Sequence, residues 1–155
     1  PTAIYEYFVN GHIADGSAGM RLAFWHAAAL IFWENPLFGT GPATYYVEKL
    51  KLIEAGLIPL RAKMYTGPHS QLFNSLYEQG IVGALMVYSI YVAFIFHCRS
   101  HLINNKALAT SGILLAVGFI DFGIAEVIWD INNAGVFFTV MMALIAGKLS
   151  HAAKS

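Results

Sequence analysis

Charge is sparse in three long apolar stretches of this chain, and that scarcity constrains its fold more than any other feature. The first stretch, GIVGALMVYSIYVAFIFHC, runs from Gly80 to Cys98 with no charge before His97. Its roughly 18 residues are enough for a helix to cross a bilayer core of about 30 Å. The second, ALATSGILLAVGFIDFGIAEVIW, runs from Ala107 to Trp129 and is long enough to span, although it contains Asp121 and Glu126. The third, AGVFFTVMMALIAG, is short by itself; Ile131 to Leu149 spans with polar ends. The expected fold is an all-α membrane protein with about three transmembrane helices, at 80–98, 107–129 and 131–149.

Composition agrees. The chain has 155 residues, 57% hydrophobic and 12% charged, against about 25% charged in soluble domains. Mean hydropathy is +0.58. Zero net charge gives no reason to expect nucleic-acid binding. The single cysteine, Cys98, excludes an internal disulfide and a multi-cysteine metal site. The histidines (His12, His26, His69, His97, His101, His151) are scattered, with no HExxH and no paired acidic cluster, so no metal site is expected.

Residues 1–79 differ from the rest, holding five of the nine Lys and Arg, six of the nine acids and all five prolines. Arg99 and Lys106 lie between the first and second spans; Lys148 and Lys154 follow the third. The intervening DINN turn has no basic residue. The positive-inside rule then puts both basic segments in the cytoplasm. It leaves residues 1–79 and the turn outside and makes 150–155 a cytoplasmic tail. The opening PTAIYEYFVNGHIADG lacks the basic and apolar regions of a signal peptide. The chain is expected to be the C-terminal part of a longer polytopic protein.

Within 1–79, SAGMRLAFWHAAALIFWE (Ser17 to Glu34) reads as a helix, with Ser17 as N-cap and Asn35-Pro36 as its end. Its apolar core, Leu22 to Trp33, is too short to span, so it lies at the interface or packs on the bundle. FGTGP (Phe38 to Pro42) is a tight glycine turn, with Gly39 and Gly41 freeing the backbone and Pro36 and Pro42 stiffening it; architecture is favoured over direct binding. It is no Walker loop, since no Gly-Lys-Ser/Thr follows. ATYYVEKLKLIEAG (Ala43 to Gly56) has helical spacing, with Leu50, Ile53 and Leu57 on one side and Lys49 and Lys51 on a solvated face. Tyr45 and Tyr46 stack on sugars or anchor at the interface, and the sequence does not choose. LIPLRAKMYTGP is an irregular link. In HSQLFNSLYEQG, Gln71, Asn74 and Glu78 line a polar side, opposite Leu72, Leu76 and Phe73, before a break at Gly80.

The order of these parts, an arginine and tryptophan in a helix, then NPLFGTGPATYY, then HSQLFNSLYEQGIVGAL, resembles the O-antigen ligase family. The resemblance runs from about Ser17 to Leu85 and more loosely through FGIAEVIWDINNAGVFFTVMMALIAG. It implies the large periplasmic loop and last spans of a GT-C-like polytopic bundle in the bacterial inner membrane. It further implies a membrane glycosyltransferase, working without a metal or other cofactor. Such an enzyme moves a glycan from undecaprenyl diphosphate to an acceptor, the lipid A–core saccharide in the ligases. The family's loop arginine falls on Arg21 and its loop histidine on His69. O-antigen polymerase and protein O-oligosaccharyltransferase remain alternatives.

Those roles suit the residues. A helix starting near Ser70 places His69 beside unpaired N–H groups and a positive dipole end, where anions bind and a neutral imidazole is favoured as a general base. The plainer reading is a capping or loop histidine. Arg21 can bind a diphosphate bidentately and stabilise the leaving charge, or snorkel to lipid phosphates. Arg61 and Lys63, and with them Tyr45 and Gln71, are candidate substrate contacts. Asp121 and Glu126 carry the rival reading of a non-enzymatic transporter fragment, because intramembrane acids are costly.

Overall fold

The computed structural model describes residues 17–152. Those residues form five α-helices and no strand: α1 (Ser17–Glu34), α2 (Tyr45–Glu54), α3 (Gln71–Ser100), α4 (Lys106–Ala125) and α5 (Asn132–Ala152). Single 3-10 turns lie at Leu60–Met64 and Ile128–Asp130. The protein is all-α, and α3, α4 and α5 are long and apolar enough to cross a membrane. His12 and the opening stretch lie outside the described residues. Two compact units divide the chain, Pro1–Ala84 and Leu85–Ser155.

In the first unit, α1 buries Met20, Ala23, Phe24, Ala27, Ala28 and Ile31, one stripe at three- and four-residue spacing. The stripe packs on Tyr45, Ile58, Ala62 and Tyr77. The helix stops at Glu34 because Asn35 precedes a proline. In α2 the buried residues are Tyr45 and Lys49, with Leu52 and Ile53 half-buried. The expected face of Leu50, Ile53 and Leu57 is therefore displaced, and Leu57 is exposed. The cause is Gly56, whose positive φ ends the helix. Its N–H donates to Ile53 O (3.0 Å), and the Leu57 N–H donates to Leu52 O (2.9 Å).

The glycine turn has a structural job. α3 is broken at Gly80 (φ 67, ψ −170), a conformation essentially restricted to glycine. The carbonyls left open before the break are met by the turn: Thr40 N–H donates to Tyr77 O (2.7 Å) and Gly41 N–H to Glu78 O (3.0 Å). The N–H groups opened after the break donate back, Ile81 to Pro36 O (2.9 Å) and Val82 to Leu37 O (3.3 Å). Backbones approach so closely that a Cβ on Gly80 would sit 2.5 Å from Phe38 N, and one on Gly39 2.5 Å from Gln79 N. NPLFGTGP is thus the clasp around a broken helix, which satisfies the groups that the break exposes.

In the second unit, Tyr91, Phe94 and Cys98 of α3 meet Ala109 and Ala116 of α4 and Phe138, Ile145 and Leu149 of α5. Small residues let α4 approach closely, Gly112 lying against Cys98 and Phe94. The helical part of the second run ends at Ala125, short of the Trp129 expected from apolar length. Glu126 is already extended (φ −148), and Ile128–Asp130 forms a turn. That turn lets Trp129 pack on Tyr91 (6.4 Å between centroids) and Phe138 (6.0 Å). Large apolar side chains including Leu85, Phe96, Leu114, Phe122 and Val136 stay exposed, as suits a surface facing hydrocarbon.

Candidate active site

The site is built where α1 meets the segment leading into α3. Ser70 O accepts the Asn74 N–H (2.9 Å), so Ser70 is the cap of a helix that begins at Gln71. His69 stands one residue ahead of the cap with φ 49. For a non-glycine residue that conformation costs on the order of 1 kcal/mol or more and persists only where the surroundings enforce it. The surroundings here are aromatic. The His69 ring lies 5.7 Å from the Phe24 ring and edge-on to Tyr65 at 6.1 Å, while Phe24 and Tyr65 are 4.8 Å apart. Arg21 lies one turn before Phe24, on the same side of α1 by helical spacing, and is partly exposed. Phe24 therefore joins the two elements that carry Arg21 and His69.

Lys49 departs from expectation. It is fully buried, not on a solvated face. Its ammonium donates to Ala62 O (2.9 Å) and to Tyr65 O. It also faces the rings of Tyr45 and Tyr46 (5.2 Å each) and Phe24 (5.9 Å). Burial pulls its pKa down to about 8. Lys51, two residues on, does point to solvent, where it pairs with Glu48 at 2.7 Å.

The remaining candidates separate. Arg61 and Lys63 are exposed on the 3-10 turn beside Ala62. Tyr45 is buried, with its hydroxyl donating to Phe24 O (3.0 Å) and its ring against Tyr77 (5.2 Å). It is placed to pack, and burial raises its phenol pKa. Gln71 is buried two residues past His69, its amide donating to Ser75 Oγ (3.1 Å). Glu78 accepts from Asn74 Nδ2 (3.0 Å) and from the Ala43 N–H (3.3 Å). Glu78 thus ties the residue before the α2 cap to α3. In the second unit Asp121 is exposed, and Glu126 lines a cavity of about 330 Å³ with Phe119, Phe122, Ile128, Ile131 and Ala134. No group of three or more His, Cys, Asp or Glu side chains gathers among the described residues.

A sequence model described as O-antigen ligase matches residues 3–88, more than half of the chain. The chain belongs to the O-antigen ligase family. The match takes in α1, α2, His69 and the clasp around Gly80, and it ends just beyond the break in α3. An uncharacterized protein of Haemophilus influenzae is 24% identical over 134 residues, covering 83% of this chain and 34% of its own length. The chain thus spans about a third of the length of that relative. No solved structure matches. Members of the O-antigen ligase family are membrane glycosyltransferases, and this one has three helices fit to cross a membrane.

In this family member the residue that sequence reading missed is Lys49. The signal was present. Lys49 lies four residues after Tyr45 and three and four before Leu52 and Ile53, which puts it on the apolar stripe of α2. Lys51 is turned away by two residues, so the two lysines do not share a face.

Proposed function

We propose that the full-length protein is an O-antigen ligase-type enzyme, moving a glycan from undecaprenyl diphosphate to lipid A–core at the periplasmic face of the inner membrane. His69 takes the proton of the acceptor hydroxyl as that oxygen attacks the anomeric carbon. The bond from that carbon to the diphosphate oxygen breaks, and its electron pair leaves with undecaprenyl diphosphate. Arg21 binds the diphosphate and stabilises that charge. Exposed Arg61 and Lys63 extend the positive surface available to the donor. Arg99, Lys106 and Lys148 lie on the cytoplasmic side under the positive-inside rule.

The observation that best supports this reading is His69 itself. It sits in a strained backbone conformation ahead of a helix start, against the Phe24 of the helix that carries Arg21. Strain at one polar residue, inside the segment matched by the family, is characteristic of functional sites. The ligase reading is favoured over O-antigen polymerase by the resemblance of IAEVIWDINNAGVFFTVMMAL to ligase ends.

The test is genetic. Cells lacking the protein are complemented with wild type, His69→Ala or Arg21→Ala, and their lipopolysaccharide is resolved by size. Wild type restores capped lipopolysaccharide, and both variants, present at normal levels in the membrane, leave bare core. Normal capping by both variants overturns the assignment. Core that carries only single repeats in the null strain indicates a polymerase instead.

A further inference from the structure

Lys49 is a cation with neither solvent nor a carboxylate beside it among the described residues. A buried ammonium lowers stability relative to an apolar side chain of the same length. It is also closed off from any ligand, since no part of its side chain reaches the surface. What it holds is backbone. Its two acceptors, Ala62 O and Tyr65 O, lie in the middle of the 3-10 turn and just past its end, at the start of the segment that leads to His69. Tyr65 in turn touches both His69 (6.1 Å) and Phe24 (4.8 Å). Lys49 also faces Phe24 (5.9 Å). The ammonium therefore tethers the approach to His69 from α2, while Phe24 supports the same ring from α1.

We propose that Lys49 is the positioning residue for His69: by clamping the carbonyls of Ala62 and Tyr65 it sets where the imidazole stands over Phe24. This rests on the reading of His69 as the base and names the device that aims it. Lys49 touches neither substrate nor reacting atoms. Its effect is on geometry, and a misplacement of about 1 Å in a catalytic group lowers rate by as much as about 100-fold.

The experiment uses full-length protein in liposomes, with an undecaprenyl-diphosphate-linked glycan as donor and lipid A–core as acceptor. Wild type, Lys49→Met, Lys49→Arg and His69→Ala are compared for kcat, donor KM and trypsin cleavage after the exposed Arg61 and Lys63. Lys49→Met is expected to lower kcat by about 10- to 100-fold with donor KM within about twofold, and to speed cleavage severalfold. Lys49→Arg, which keeps a cation, recovers part of both. A general loss of folding would speed cleavage at Lys51 within α2 as well, whereas the proposal confines the faster cleavage to Arg61 and Lys63. If Lys49→Met does not accumulate, Lys49→Gln, uncharged and one bond shorter, decides: reduced kcat at unchanged KM supports the proposal, and wild-type kcat overturns it. Wild-type kcat in Lys49→Met with an inactive His69→Ala overturns the role of Lys49 and leaves that of His69 standing. An active His69→Ala overturns both.

Discussion

Replacing Gly80 with alanine tests the clasp. Gly80 has φ 67 and ψ −170, a region that a residue with a Cβ occupies at a cost of about 1–3 kcal/mol. The new Cβ would also lie 2.5 Å from Phe38 N. No side-chain rotation relieves that contact, because the position of a Cβ is fixed by its own backbone and the atom it meets is backbone. The 36–41 turn must retreat, and four backbone hydrogen bonds between it and α3 depend on its position. At about 1 kcal/mol each, losing two adds about 2 kcal/mol, for a total of about 3–5 kcal/mol. That is a large part of the 5–15 kcal/mol typical of folded domains. Gly56→Ala is the control. Its φ is 73, yet nothing lies within 4 Å of the added carbon, so only about 1–2 kcal/mol is lost. Thermal unfolding of full-length protein in detergent, followed by tryptophan fluorescence, should place Gly80→Ala about 2 °C or more below Gly56→Ala. Equal midpoints would show that the clasp is not what holds the broken helix.

Other outcomes follow from single contacts. Gly112→Val should destabilise by about 1–3 kcal/mol by overpacking, since a Cβ there lies 3.1 Å from Ile145 Cγ2 and 3.3 Å from Phe94 Cζ; its unfolding midpoint reports this. Lys51→Ala, which breaks only an exposed pair with Glu48, should leave that midpoint unchanged, as such pairs contribute little. Stability should depend on pH through Lys49. Its pKa falls from 10.5 to about 8 on folding, so between those values the unfolded chain binds more protons and stability rises with pH, by at most about 3 kcal/mol. Above pH 10 the raised pKa of Tyr45 works in the opposite direction, favouring unfolding. Midpoints at pH 7.5 and 9.5 should differ in wild type and lose that difference in Lys49→Met.

The three membrane-length helices were legible because apolar length alone decides them. The Gly56 stop and the Gly80 break were legible too, since each depends on one residue that can take a positive φ. The clasp was not, because it joins Thr40 to Tyr77 across 37 positions, and local pattern carries no information about which carbonyl a distant N–H will meet. The buried face of α2 differs from the one that Leu50, Ile53 and Leu57 suggest, because Tyr45 and Lys49, which precede them, take the buried positions. Trp129 read as the end of a span because it is apolar. Its packing on Tyr91 and Phe138 instead requires the chain to leave the helix at Glu126. At the site, the sequence marked His69 and Arg21 separately. Only the fold shows that Phe24 links their elements and that Lys49 donates to the carbonyls of Ala62 and Tyr65.

The most direct test of the central claim is chemical. Full-length protein in liposomes receives the lipid-linked glycan, and free undecaprenyl diphosphate is measured before and after lipid A–core is added. Release that requires the acceptor, matches the glycan joined to core one for one, and is abolished by His69→Ala is the expected result. Acceptor-dependent release at the wild-type rate in His69→Ala would contradict it.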